Sequence, residues 1–285
     1  MELLHFAVVS ELPSSVLGFS EVTKVSAAVQ KQIMRDVSPV WNINATVDPF
    51  QKLEDVPLGY WPIIVRDDIE YDGAEGIHLD DDGQPFSLVR MSRGWSLTCS
   101  HEALEMLVDP FGDKLKQGKS PKEDQGKVLF LVEVCDPSEA RQYSYTVNGI
   151  VVSDFYTPNY FDPMKTTGVK YSYTGAIEKP RDVLDGGYLS WKDPVSGRWW
   201  QWVKFDGTAD GQFVDIGRID ASAGHSLRTA IDMATTGRYE HLAKTDDRIS
   251  ALVAARASQN ENPSNAKAKT LRTQIDKLVR KPVSV

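Results

Sequence analysis

The sequence predicts an α+β fold: a twisted mixed sheet, then β-hairpins, then a helical C-terminal region. Three observations carry that. Up to Pro110 the strand and helix patterns follow one another as strand, helix, strand, strand, strand, helix. Beyond it, turn signals at Asn148-Gly149 and at Asp193–Gly197 separate pairs of apolar, aromatic-rich runs. From residue 222 the apolar spacing turns helical. These changes divide the chain into 1–220 (the sheet domain with its hairpin extension), 221–257 (helical), 258–266 (a linker) and 267–285 (a basic amphipathic tail).

Composition narrows the class. The chain has 285 residues, 41% of them hydrophobic and 25% charged, as in an ordinary globular protein. A formal net charge of -8 lacks the basic face that general nucleic-acid binding requires. No apolar run reaches membrane-spanning length, and the start, Met1-Glu2-Leu3-Leu4-His5, lacks the basic residues of a secretory signal. A cytoplasmic location is the expectation. Cys99 and Cys135 are too few and too far apart for a zinc knuckle, which fits a reduced chain and leaves a single disulfide open.

Residues 3–9 read as a buried strand, with His5 structural. Ser20 is placed to cap a helix over 21–37, whose Val22, Val25, Val29, Ile33 and Val37 share one face. Residues 41–47 alternate as a strand. Residues 60–65 form another, with Pro62 marking an edge or a strand start. Asp67, Asp68, Glu70 and Asp72 make an acidic turn. Residues 76–90 read as a turn feeding a strand. The Asp80–Gly83 run lacks the spacing of a calcium loop, and His78 faces either a cleft or solvent.

Trp95–Pro110 is the chemically loaded stretch. It begins with a strand-like alternation and becomes a helix at Ser100, a good N-cap. Leu104, Leu107 and Val108 form the apolar stripe, and Pro110 ends the helix after Asp109. His101 and Glu105 are one turn apart, about 5.4 Å along the axis, so both can reach one ion. Glu102 stands beside them as a candidate general base for a metal-activated water. The plain alternative is an amphipathic helix with a polar edge.

The loop 111–126 is polar, with Lys114, Lys116, Lys119 and Lys122, and could border a cleft. A strand follows from Val128, apolar on both faces until Glu133. A carboxylate there is costly unless paired or bound to a metal.

His101-Glu102-x-x-Glu105-x-x-x-Asp109-Pro110 followed by Glu133-x-x-Asp136 resembles the pattern of the exordium-like proteins and related bacterial metallopeptidases of the zincin-like superfamily. The match covers residues 95–137. It departs from the family pattern where Cys135 replaces a glycine and Pro137 follows the aspartate. The resemblance implies a zincin-like sheet whose edge strand lines a substrate groove beside the metal helix. It also implies zinc and a peptide or protein substrate; two carboxylate ligands would leave manganese or another divalent ion as alternatives.

The third metal ligand is then Glu133 or Asp136; the sequence does not choose. Asp109 lies about 6 Å further along the axis than Glu105, too far for its short side chain. It would orient a ligand or a loop from behind, or simply end the helix.

Residues 141–155 read as a hairpin around Asn148-Gly149. Asp154 is a turn carboxylate or a site neighbour. Tyr156 and Tyr160 are candidates to stabilise an oxyanion, or else pack on the sheet. Residues 187–191 and 198–205 form a second hairpin holding four tryptophans, either a recognition platform or plain aromatic packing. Helices are expected from Ser222 or Ser226 through Met233 and over 239–257. His225 and His241 have no partner at useful spacing. The tail, with Leu271, Ile275, Leu278 and Val279 on one face, would dock on the chain itself, a second copy or a protein partner.

Two functions follow. The first is a metallopeptidase or related hydrolase using His101, Glu105 and Glu133 or Asp136, with Glu102 as base. The alternative is an inactive structural or interaction protein on the same scaffold, with partner contacts through the aromatic hairpin and the tail.

Overall fold

Phe6, Ala7, Val8 and Val9 are fully buried, because β1 (Leu4–Ser10) runs between two parallel neighbours. These are β2 (Ala45–Phe50) and β3 (Trp61–Arg66). The computed structural model describes residues 3–71, 73–81, 83–205, 210–219 and 226–235. The chain divides into Met1–Lys244 and Thr245–Val285, and every described residue lies in the first unit. The helix expected over 239–257, the linker, the tail, His225 and His241 lie outside the described residues.

The first sheet has the order β2-β1-β3-β5-β4, with β5 Gln84–Arg90 and β4 Gly76–Asp81. β2, β1, β3 and β5 are parallel; β4 pairs antiparallel at the edge. So 76–90 is a hairpin of two strands, not a turn feeding one. Pro62 marks a strand start and not an edge, since β3 is interior. Strand alternation sorts the side chains. Ile63, Val65 and Val89 join the main core, while Ile64, Leu88 and Ile77 join a smaller cluster.

The connection from β1 to β2 is α1 (Phe19–Gln32), extended by a π-helical turn at Ile33–Val37 and by α2 (Ser38–Trp41). Val22, Val25, Val29, Ile33 and Val37 are all buried, as their spacing predicts. The helix starts at Phe19 with Gly18 in the N-cap position, two residues ahead of the expected Ser20 cap.

The second sheet is antiparallel, in the order β12-β11-β10-β7-β6. Its strands are β6 (Leu115–Lys119), β7 (Lys127–Leu131), β10 (Tyr188–Lys192), β11 (Trp199–Val203) and β12 (Gln212–Gly217). The polar stretch 111–126 therefore contains an edge strand. Between β7 and β10 lies the hairpin of β8 (Tyr145–Val147) and β9 (Ile150–Val152). Its turn residues Asn148 and Gly149 have φ of 53° and 79°, the left-handed pair a two-residue hairpin needs. Trp191 and Trp199 of the aromatic hairpin are fully buried, and Trp200 and Trp202 are half-buried with Lys122 and Lys204 over their rings. No described helix is long and apolar enough to cross a membrane.

Candidate metal centre

α3 (Trp95–Val108) carries the His-Glu-Glu motif. It is one helix throughout: the stretch before Ser100 is helical, and Gly94 occupies the N-cap position. Ser100 instead sits mid-helix and buried. Its hydroxyl donates to Gln32 Oε1 (2.9 Å) and accepts from Ser153 N (2.9 Å). That pins α3 to the end of α1 and to the segment after β9. Trp95 and every residue from Cys99 to Val108 are buried, so the motif's charged side chains lie inside the protein.

His101 Nε2 stands 3.3 Å from Glu105 Oε2 and 3.3 Å from Asp136 Oδ1. Asp136 opens a single 3-10 turn, Asp136–Ser138, just beyond β7. That turn lies flush against the start of β10. A Cβ on Gly187 would come within 2.6 Å of Asp136 O and 2.7 Å of Pro137 O, so only glycine allows the approach. Glu105 Oε1 accepts the Cys135 backbone N–H at 3.1 Å, which ties the helix to the same segment.

Glu133 faces Arg228, and sequence reasoning missed that arginine. Arg228 lies in α4 (Leu227–Thr235), the helix expected from Ser222 or Ser226. Its Nη1 touches Glu133 Oε2 closely and lies 3.3 Å from Glu105 Oε2 and 3.4 Å from Asp136 Oδ2. Its Nε donates to Asp232 Oδ2 (2.8 Å) and its Nη2 to the Tyr188 hydroxyl (3.2 Å). The only sequence signal was an Arg and an Asp four residues apart in a helix, which is common on solvated faces.

His78 is the second addition. It is 1% exposed on β4, and alternation against the buried Ile77 turns it toward α3. Its Nδ1 lies 3.6 Å from Glu102 Oε2 and 3.9 Å from Glu105 Oε2. Reading 76–81 as a strand would have set His78 on the face opposite Ile77 and Leu79 without saying which face meets α3.

The electrostatics follow from burial. Burial alone would discharge His101, but Glu105 and Asp136 outweigh it and hold the ring's pKa well above its ordinary value. Burial likewise works against a charged Glu105, and His101 and Arg228 reverse it, holding that carboxyl well below the usual range. Burial wins at Glu133, which is lifted well above the usual range despite Arg228. Burial, reinforced by Glu105, raises Asp136 to about 6. Burial, reinforced by Asp136, raises Glu139 to about 8. Carboxylates outnumber cations here.

Asp109 lies apart from this set. Its oxygens accept the backbone N–H groups of Asp113 (3.3 Å) and Lys114 (2.8 Å), so it orders the loop after the helix. Asp154 is a turn carboxylate, accepting the Thr174 N–H and hydroxyl at 2.9 Å each. Tyr160 donates its hydroxyl to Asp182 O (2.9 Å), whereas the Tyr156 hydroxyl is buried with no hydrogen-bond partner among the described residues.

These donors suit a divalent cation. Zinc bonds of about 2.0–2.1 Å at tetrahedral angles put ligand atoms about 3.3–3.4 Å apart, matching both His101 separations. Asp136 Oδ1 and Glu133 Oε1 are buried without hydrogen-bond partners among the described residues. Grouped donors that could hold an ion include His101 with Glu105 and Cys135, and Glu105 with Glu133 and Asp136. A surface cavity of about 390 Å³ opens near the N-terminus of α3, lined by Glu21, Met91, Arg93 and Trp95 among others, but none of its lining residues belongs to this set. No family model, curated protein or solved structure matches the chain.

Proposed function

We propose that the protein is a zincin-type metal-dependent hydrolase acting on amide bonds of a peptide or protein. The observation that carries this is His101 Nε2 standing 3.3 Å from both Glu105 Oε2 and Asp136 Oδ1, with Glu102 on the same buried helix. The antiparallel edge strand β4 against α3 supports the same reading, because a groove beside the metal helix is what the motif's resemblance implies. His101, Glu105 and Asp136 would hold the ion. Glu133, whose Oε2 meets Arg228, would stand beside the ion rather than on it.

Zinc, or manganese given two carboxylate ligands, would supply Lewis acidity at a scissile carbonyl. Glu102 would take a proton from the attacking water and return it to the leaving amine. Tyr156, whose hydroxyl has no hydrogen-bond partner among the described residues, is the better candidate than Tyr160 to steady an oxyanion.

The test is elemental mass spectrometry on the purified full chain beside His101→Ala. The expected result is at least one ion per chain, with one lost in the variant. Glu102→Gln should keep that ion and the fold but lose hydrolysis. Full activity in Glu102→Gln would reject the mechanism.

One observation favours a second reading, a structural or interaction protein. His101, Glu102, Glu105, Glu133 and Asp136 are all at most 8% exposed, and Arg228 already offsets part of their charge. On that reading an ion only fastens α3 to the Asp136 turn, and the loaded protein hydrolyses nothing.

A further inference from the structure

His78 is 1% exposed, and neither of its ring nitrogens has a hydrogen-bond partner among the described residues. Buried polar side chains almost always find one, so the exception calls for a water, an ion or a ligand. Glu102 Oε2, 3% exposed as a residue, is likewise without a hydrogen bond. The two atoms face each other: His78 Nδ1 lies 3.6 Å from Glu102 Oε2 and 3.9 Å from Glu105 Oε2.

Those separations decide between two accounts. A direct hydrogen-bonded pair would close to about 2.7–3.2 Å. Donors around a divalent ion, with bonds of about 2.0–2.2 Å, sit roughly 3.3–3.6 Å apart at tetrahedral angles. That fits the 3.6 Å between His78 Nδ1 and Glu102 Oε2; the 3.9 Å to Glu105 Oε2 is wider and needs a more open angle at the ion. His78, Glu102 and Glu105 offer one atom each, all within 4.8 Å of one another. The backbone is shaped for the carboxylate as well. A Cβ on Gly76 would come within 2.6 Å of Glu102 Oε1, so β4 lies flush against Glu102 and holds it between strand and helix.

We propose that His78, Glu102 and Glu105 form a second divalent-cation seat, bridged to the His101 seat through Glu105. One imidazole and two carboxylates suit zinc or manganese. The seat stands on its own donors. Its consequence rests on the hydrolase reading: an ion on Glu102 Oε2 ties up the general base. The first ion would activate and the second would silence, so activity would fall at excess metal.

The experiment is a manganese titration of the metal-stripped full chain, with bound ions counted and spin coupling read by electron paramagnetic resonance. Wild type should take up two ions with an exchange-coupled spectrum. His78→Gln and Glu102→Gln should each keep one, with a single-ion spectrum. Glu102→Gln is nearly isosteric and carries the test alone if His78→Gln fails to fold. The inference is overturned if removing His78 or the Glu102 charge costs no ion, if the wild type binds none, or if a single ion is lost equally in His78→Gln and His101→Ala. A single ion lost in His78→Gln and kept in His101→Ala would instead sink the hydrolase site and leave this seat standing.

Discussion

Arg228→Met is the sharpest perturbation available. The guanidinium reaches Glu105, Glu133 and Asp136 from one nitrogen while its residue is 5% exposed. Methionine keeps much of the side chain's bulk and removes the charge. Breaking a buried ion pair by deleting one partner costs about 3–5 kcal/mol, because the remaining charge stays buried without compensation. For a unit of this size each kcal/mol moves Tm by about 2–4 °C, so the variant should melt roughly 6–20 °C lower. The assay is calorimetry of metal-stripped protein at neutral pH. A divalent ion should restore more stability to the variant than to wild type, since it replaces a missing cation; at 100 times its Kd it contributes about 2.7 kcal/mol. A Tm within about 2 °C of wild type, or equal metal gains in both proteins, would refute the view that Arg228 compensates these carboxylates.

The remaining predictions concern the same interior and one other. Asp136 at about 6 and Glu139 at about 8 keep protons in the native state that the unfolded chain releases near pH 4. Their contribution is present below that pH and declines as pH rises through both values, so the urea midpoint of stripped protein should fall from roughly pH 5 to 9; a rise would contradict it. Gly187→Ala pushes a Cβ within 2.6 Å of Asp136 O and should cost about 1–3 kcal/mol while weakening zinc binding in a competition titration. Asp36→Asn weakens the bonds from Arg35, Tyr145 (2.8 Å) and Tyr173 (2.7 Å), and should cost about 1.5–3 kcal/mol in denaturant melts. Burial opposes the Asp36 charge, yet those donors hold its pKa below 3.8, so the deficit should shrink as pH falls below about 4.

Local patterns were legible where neighbours in sequence decide the outcome. The stripe from Val22 to Val37 predicted the buried face of α1, and Asn148-Gly149 predicted its hairpin, because helix and turn chemistry act over a few residues. His101, Glu102 and Glu105 could be grouped for the same reason. Strand edges were harder. Leu115–Lys119 carries lysines that suit an exposed edge strand, and the same lysines read as a loop. Ser100 looked like a cap because its hydroxyl is suited to one. Only Gln32, 68 residues away, and Ser153, 53 residues away, reveal the bonds it makes. Arg228 and Glu105 are separated by 123 residues, and no periodicity links them.

That separation sets an order of assembly during synthesis. Asp136 leaves the ribosome 92 residues before Arg228. At about 5–20 residues per second, roughly 5–20 s pass before the guanidinium emerges. Throughout that interval the nascent chain carries its acidic residues without the arginine that later sits among them. Unpaired, they favour hydration or a proton until α4 arrives. A divalent ion met in those seconds finds the carboxylates with no guanidinium to displace.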